Sequence, residues 1–179
     1  MRILFVPLLL CLSLITEACT AFKVTRDGRT IVGNNEDAWS TNAQVRFEQG
    51  KEGGYGAIYF GHYNGLPFRP MVDQLGMNEA GLVFDGFGVQ TKDVDPIHGR
   101  KQVPFTELMP LVMRSCATVH EAADLLRTYD LSWLTHAMLF LVDRNGDRLV
   151  VEADTMILGH DPSFALGNWR MSTRTDPDA

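Results

Sequence analysis

Cys19 is the residue whose type and position carry the clearest chemical meaning, because it directly follows a segment with the features of a cleavable leader. A cysteine uncovered as the first residue of a mature chain brings two reactive groups together. Its thiol titrates near about 8.5 and its free α-amine near about 7.7–8.0. The amine can take the proton of the thiol, so one residue supplies both a nucleophile and its base. At pH 7 roughly one such amine in seven is neutral, and partial burial raises that fraction. The histidines His62, His98, His120, His136 and His160 fall outside any nucleophile motif, which weighs against a Cys-His enzyme. There is no CxxC pair and no His/Cys cluster at metal-ligand spacing, so neither a metal nor another cofactor is implied. Two other fates compete for the thiol. One is lipid attachment at the thiol, giving a membrane-anchored lipoprotein, which Glu17 fits poorly because that processing prefers small residues. The other is a disulfide with Cys116, the remaining cysteine beyond the leader.

The leader assignment rests on residues 1–18. Met1-Arg2 gives a positive start, and Ile3 to Ile15 is an uncharged apolar run, shorter than the roughly 20 residues that span a bilayer. Thr16, Glu17 and Ala18 then place small residues three positions and one position before a cut at Cys19. The expectation is a signal peptide at 1–18, one domain at 19–179, and a secreted or periplasmic mature chain without a transmembrane segment. A length of 179 residues with 45% hydrophobic and 21% charged composition suits one globular domain. Loss of Arg2 and Glu17 together leaves the formal charge at −6, and no Lys/Arg cluster is present, which excludes nucleic acid as a partner.

The elements that must position Cys19 begin at once. Thr20–Thr25 and Thr30–Gly33 read as a hairpin closed by Asp27-Gly28, a pair suited to the two positive φ angles of a type I′ turn. A strand is expected at Ala57–Tyr63, and the stretch 49–56 reads as a glycine-rich loop. A second hairpin sets Val72–Leu75 and Leu82–Phe84 about the turn Asn78-Glu79-Ala80-Gly81, with Gly86 and Gly88 beyond it. Helices follow at Phe105 to about Ser115, with a kink or early break at Pro110, and at Val119 to about Tyr129. The second helix opens on a Thr118/Glu121 capping box. Strands resume at Ala137–Val142 and Arg148–Glu152 about a hairpin-type Asn145-Gly146, and a last extended stretch covers Phe164–Met171. Strands, then helices, then strands describe an α+β layered fold.

Three segments together resemble the choloylglycine hydrolase and penicillin V acylase group, N-terminal nucleophile hydrolases of linear amides. They are Cys19-Thr20-Ala21-Phe22 with Gly33-Asn34-Asn35-Glu36-Asp37-Ala38-Trp39, then Gly76-Met77-Asn78-Glu79-Ala80-Gly81-Leu82, and Ala165-Leu166-Gly167-Asn168-Trp169-Arg170. The resemblance implies an αββα sandwich of antiparallel sheets, cut short at its C-terminus. It implies Cys19 as nucleophile and Asp37 as the residue that holds the α-amine of Cys19. Gly88 N–H and the Asn168 side chain take the part of oxyanion donors, and the Asn78 turn is structural. Its partner is a small-molecule amide such as an N-acyl compound, attacked through an acyl-enzyme that water or another amine can accept.

Two departures qualify that implication. Asn34 stands where the bile-salt and penicillin branch has an arginine near the sulfur, and a neutral amide does not favour a thiolate as a guanidinium does. The family's late strands and a distal arginine have no counterpart in these residues. The competing expectation is therefore a non-catalytic exported lipoprotein or binding protein on the same scaffold. Taken singly, Asp37 suits a turn cap, Asn168 a surface amide, and Trp39, Phe60, Phe84 and Phe87 core or pocket lining.

Overall fold

The computed structural model describes residues 19–37, 40–51, 53–66 and 69–173, so the expected signal peptide and Trp39 lie outside the described residues. In chain order the strands are β1 (Thr20–Arg26), β2 (Arg29–Asn35), β3 (Ala43–Glu48), β4 (Ala57–Leu66), β5 (Arg69–Asn78) and β6 (Val83–Gly88). Helices α1 (Phe105–Ser115) and α2 (Val119–Leu126) follow, then β7 (Ala137–Val142), β8 (Arg148–Val151), β9 (Met156–Gly159) and β10 (Ser163–Gly167). Two antiparallel sheets result, one ordered β10-β1-β2 and the other β3-β4-β5-β6-β7-β8-β9.

The smaller sheet is built around the hairpin expected at the N-terminal end. Asp27 (φ 51°) and Gly28 (φ 70°) are both left-handed, as a type I′ turn requires, and Arg26 pairs with Arg29 across it. On the other side of β1, Thr20 pairs with Gly167 and Val24 with Ser163. Thus β1 is the central strand, and its first residue lies between the ends of β2 and β10.

Alternation along β7 shows how the layers stack. Met138, Phe140 and Val142 join Cys19, Ala21, Phe87 and Leu166 in a core between the two sheets. Leu139 and Leu141 point the other way, into a core with Leu108, Met109, Val112 and Met113 of α1 and Val119, Ala122, Ala123 and Leu126 of α2. A Val, Leu, Phe or Met side chain buried in either core contributes about 1.5–3 kcal/mol relative to an exposed one. The order is helices, large sheet, small sheet, the α+β antiparallel arrangement expected. Among the described residues no helix covers the outer face of the small sheet, where Phe22, Val24 and Ile31 are exposed.

Several local expectations need correction. Helix α1 runs unbroken through Pro110, because its buried apolar face offsets the lost backbone bond. The capping box of α2 is present, with Glu121 N donating to Thr118 Oγ1 at 3.2 Å and Thr118 N to Glu121 Oε2 at 3.1 Å. The helix ends at Leu126 rather than Tyr129, since Tyr129 forms an isolated bridge with Lys101. At Asp143–Asp147 only Gly146 is left-handed, so the connection is a three-residue loop and not a two-residue Asn-Gly turn. Asp143 Oδ1 fixes that loop by accepting from the N–H groups of Asn145 (2.9 Å) and Asp147 (3.2 Å). The last extended stretch stops at Gly167, where Trp169 N donates to Gly167 O and the chain turns into a 3-10 helix at Met171–Thr173. Strands β3 and β9 were not expected. Cys19 and Cys116 lie in different cores and are free thiols, so the disulfide alternative does not occur. Among the described residues, no helix is long and apolar enough to cross a membrane.

Candidate active site

Hairpin register sets the first contact. Thr20 pairs with Asn35, so the residue after β2, Glu36, comes beside the residue before β1, Cys19. The Cys19 thiol is buried, 8% exposed, and donates to Glu36 Oε2 at 3.6 Å. Two side-chain amides hold the Glu36 carboxylate: Asn34 Nδ2 donates to Oε1 at 3.0 Å and Gln74 Nε2 to Oε2 at 2.8 Å.

Gln74 reaches across from the large sheet because of a bulge. Phe60 pairs with Leu75 but Gly61 pairs with Asp73, which leaves Gln74 without a partner on β4 and re-aims its side chain. Gly61 permits this approach, since a Cβ there would stand 1.8 Å from the Val72 carbonyl oxygen. Gln74 Oε1 in turn lies 3.0 Å from His62 Nδ1. The resulting chain is imidazole, amide, carboxylate, thiol.

Asp85, on β6, faces Glu36 from the large sheet. It is 2% exposed, and among the described residues no well-formed side-chain hydrogen bond reaches either carboxyl oxygen, the Gly86 N–H alone favouring its charged form. Burial, followed by the charge of Glu36, pushes its pKa up to about 9. A contact between the two carboxyls is a hydrogen bond only when one of them is protonated, which reconciles their proximity with the missing partner.

On the third side, Asn168 Nδ2 donates to Gly88 O at 2.7 Å, and the Asn168 side chain also bonds the Cys19 thiol. Arg170 clamps this segment, with Nε on Gln90 O at 2.9 Å and a terminal nitrogen on Thr135 O at 2.6 Å. The thiol pKa is raised, chiefly by burial and further by the Glu36 charge, while the Asp37 N–H and the Asn168 side chain pull it down. At neutral pH the group is therefore a thiol.

Of the residues singled out from the sequence, Cys19, Asp37 and Asn168 meet at the sulfur, and Gly88 joins them through its carbonyl. Asp37 contributes its backbone N–H there. Asn34, at the position expected for arginine, orients Glu36. Asn78 is turned to the other face of the sheet: its Nδ2 donates to Met113 O (2.8 Å) and Cys116 O (2.7 Å), and its Oδ1 accepts from Leu82 N (2.9 Å). It closes the C-terminal end of α1 and has a structural role. Glu36, Gln74, His62 and Asp85 were missed. Asp85 did leave a signal, as a lone acid in the apolar run Leu82-Val83-Phe84-Asp85-Gly86-Phe87.

Beside this network an apolar cavity of about 330 Å³ opens between the sheets, lined by Val32, Ile58, Phe60 and Leu75 with Asn34 and Asp85 at its polar part. Among the described residues no group of three His, Cys, Asp or Glu side chains could hold a metal ion.

No family model and no curated protein sequence matches the chain. Solved structures do match. A variant of conjugated bile acid hydrolase from Clostridium perfringens superposes with a TM-score of 0.58 at 22% identity, over 80% of this chain and 51% of that one. A second mutant of the same protein gives a TM-score of 0.59 at 22% identity, again over 80% and 51%. Penicillin V acylase from Agrobacterium tumefaciens gives 0.55 at 21% identity, over 80% and 50%. The chain shares the fold of these proteins, in keeping with the resemblance in its motifs, and spans about half of their length.

Proposed function

We propose that this chain carries the nucleophile of an exported hydrolase that cleaves a linear amide C–N bond. The observation that supports it is the convergence of the Asp37 N–H, the Asn168 side chain and Glu36 on the Cys19 sulfur, at the head of the central strand. The proteins that share the fold are named as a conjugated bile acid hydrolase and a penicillin V acylase, in keeping with that reading.

In this mechanism, removal of residues 1–18 frees the α-amine of Cys19, which takes the thiol proton. The thiolate attacks the amide carbonyl, and negative charge develops on the carbonyl oxygen. Gly88 N–H and Asn168 Nδ2 stabilise that oxyanion, each such donor contributing about 2.7–4 kcal/mol. The C–N bond then breaks as the ammonium returns its proton to the departing amine, leaving a thioester at Cys19. Water attacks the thioester, with the α-amine again as base; an amine acceptor in place of water makes the same site an acyltransferase. Asp37 holds the α-ammonium, and the apolar cavity beside Asn34 receives the acyl group of an N-acyl substrate.

The test combines N-terminal sequencing with labelling by an acyl-amide probe. A start at free Cys19, together with labelling that Cys19→Ala abolishes, is the expected result. Equal labelling of both proteins removes Cys19 as the nucleophile, and a diacylglyceryl adduct on Cys19 identifies a lipoprotein instead.

A further inference from the structure

Glu36 and Asp85 are two carboxyl groups facing one another in the space between the sheets, and their surroundings are unequal. Glu36 accepts hydrogen bonds from Asn34 and Gln74, both of which stabilise its charged form. Asp85 is almost wholly buried, no side chain donates to either of its oxygens, and the adjoining Gly86 N–H alone favours its charged form. One backbone N–H offsets little of the cost of a buried carboxylate's lost hydration, and a second negative charge beside it adds to that cost. Among the described residues, no Lys or Arg forms an ion pair with either group. Arg46, on β3, is committed to Asp73 and Glu48. The remaining group that faces Glu36 is the Cys19 thiol, itself bonded by the Asp37 N–H, with His62 standing behind Gln74.

We infer that Glu36 and Asp85 form a carboxyl pair that shares one proton, carried by Asp85, and that the charged Glu36 is the positioning residue for the Cys19 thiol. Asp85 donates its proton to Glu36, and Glu36 in turn accepts the Sγ–H of Cys19. The thiol is held in one orientation and kept protonated until a base removes its proton. The inference rests on Cys19 being the nucleophile but needs no turnover to be tested.

The test uses the full chain, E36Q and D85N. Alkylation of Cys19 by iodoacetamide is followed by mass mapping of its peptide, so that reaction at other cysteines does not interfere. Loss of the Glu36 charge lowers the thiol pKa, and E36Q is expected to alkylate about tenfold faster near neutral pH. D85N supplies a permanent neutral donor in place of the protonated acid, and its rate should stay within about twofold of the parent. If Asp85 were ionised, D85N would remove a negative charge and speed alkylation as E36Q does. That result, or no change in E36Q, overturns the pair. Infrared spectroscopy of the unsubstituted chain at neutral pH gives a measurement independent of any variant's folding. A protonated-carboxyl band is expected there, and its absence overturns the assignment. Failure of acyl-amide labelling with these outcomes intact would remove the enzymatic function and leave the carboxyl pair standing.

Discussion

Replacing Asn78 by alanine separates a structural from a catalytic reading of the Gly76–Leu82 motif. The side chain is 2% exposed and makes three hydrogen bonds of 2.7–2.9 Å, to Met113 O, Cys116 O and Leu82 N. Its truncation strands two carbonyls at the end of α1 and the N–H that follows the β5-β6 turn. A buried group left without its partner costs about 1–3 kcal/mol, and partial rehydration of the helix end keeps the sum for three groups near about 3–5 kcal/mol. Against a total stability of about 5–15 kcal/mol the variant still folds, with a melting temperature roughly 10 °C lower. Urea unfolding followed by circular dichroism measures the loss, and alkylation of Cys19 in the folded variant measures the site. The expected pattern is a large stability loss with Cys19 reactivity within about twofold of the parent. A loss under about 1 kcal/mol, or altered Cys19 reactivity at unchanged stability, refutes the reasoning.

Asn34→Arg places a guanidinium where Asn34 now holds Glu36; the positive charge should lower the thiol pKa and speed Cys19 alkylation near neutral pH about tenfold, and an unchanged rate would contradict the electrostatics described for the site. Asp85 also predicts a pH dependence of stability. Its folded pKa, about 9, lies above the ordinary carboxyl value, so its contribution is fully present below about pH 4 and is lost as pH rises toward about 9. The stability of D85N relative to the parent should therefore grow across that window, by up to about 1.4 kcal/mol per pH unit. Urea unfolding at several pH values checks it, and a pH-independent difference would show that Asp85 does not carry the proton.

Much of the scaffold is legible along the chain because it follows from local rules. The Asp27-Gly28 turn, the Thr118/Glu121 cap and the continuous apolar run of Ala137–Val142 each depend on residues close in sequence, and each element forms as expected. Cys19, Asp37 and Asn168 were found as motif residues, and the hairpin register explains why the first two are neighbours. Helix α2 ends early because a distant residue intervenes, Lys101 bridging to Tyr129, whereas the β7-β8 loop takes a different turn for a local reason, the Asp143 carboxylate accepting from N–H groups of its own loop. The chemistry around the sulfur depended still more on packing between sheets. Gln74 reaches Glu36 only because β5 bulges opposite Gly61, and Asp85 meets Glu36 only because two sheets distant in sequence stack face to face. Residue types and spacing carry strand alternation, caps and turns, whose energies are local. The protonation of a buried carboxyl depends on which groups the completed fold leaves without a partner.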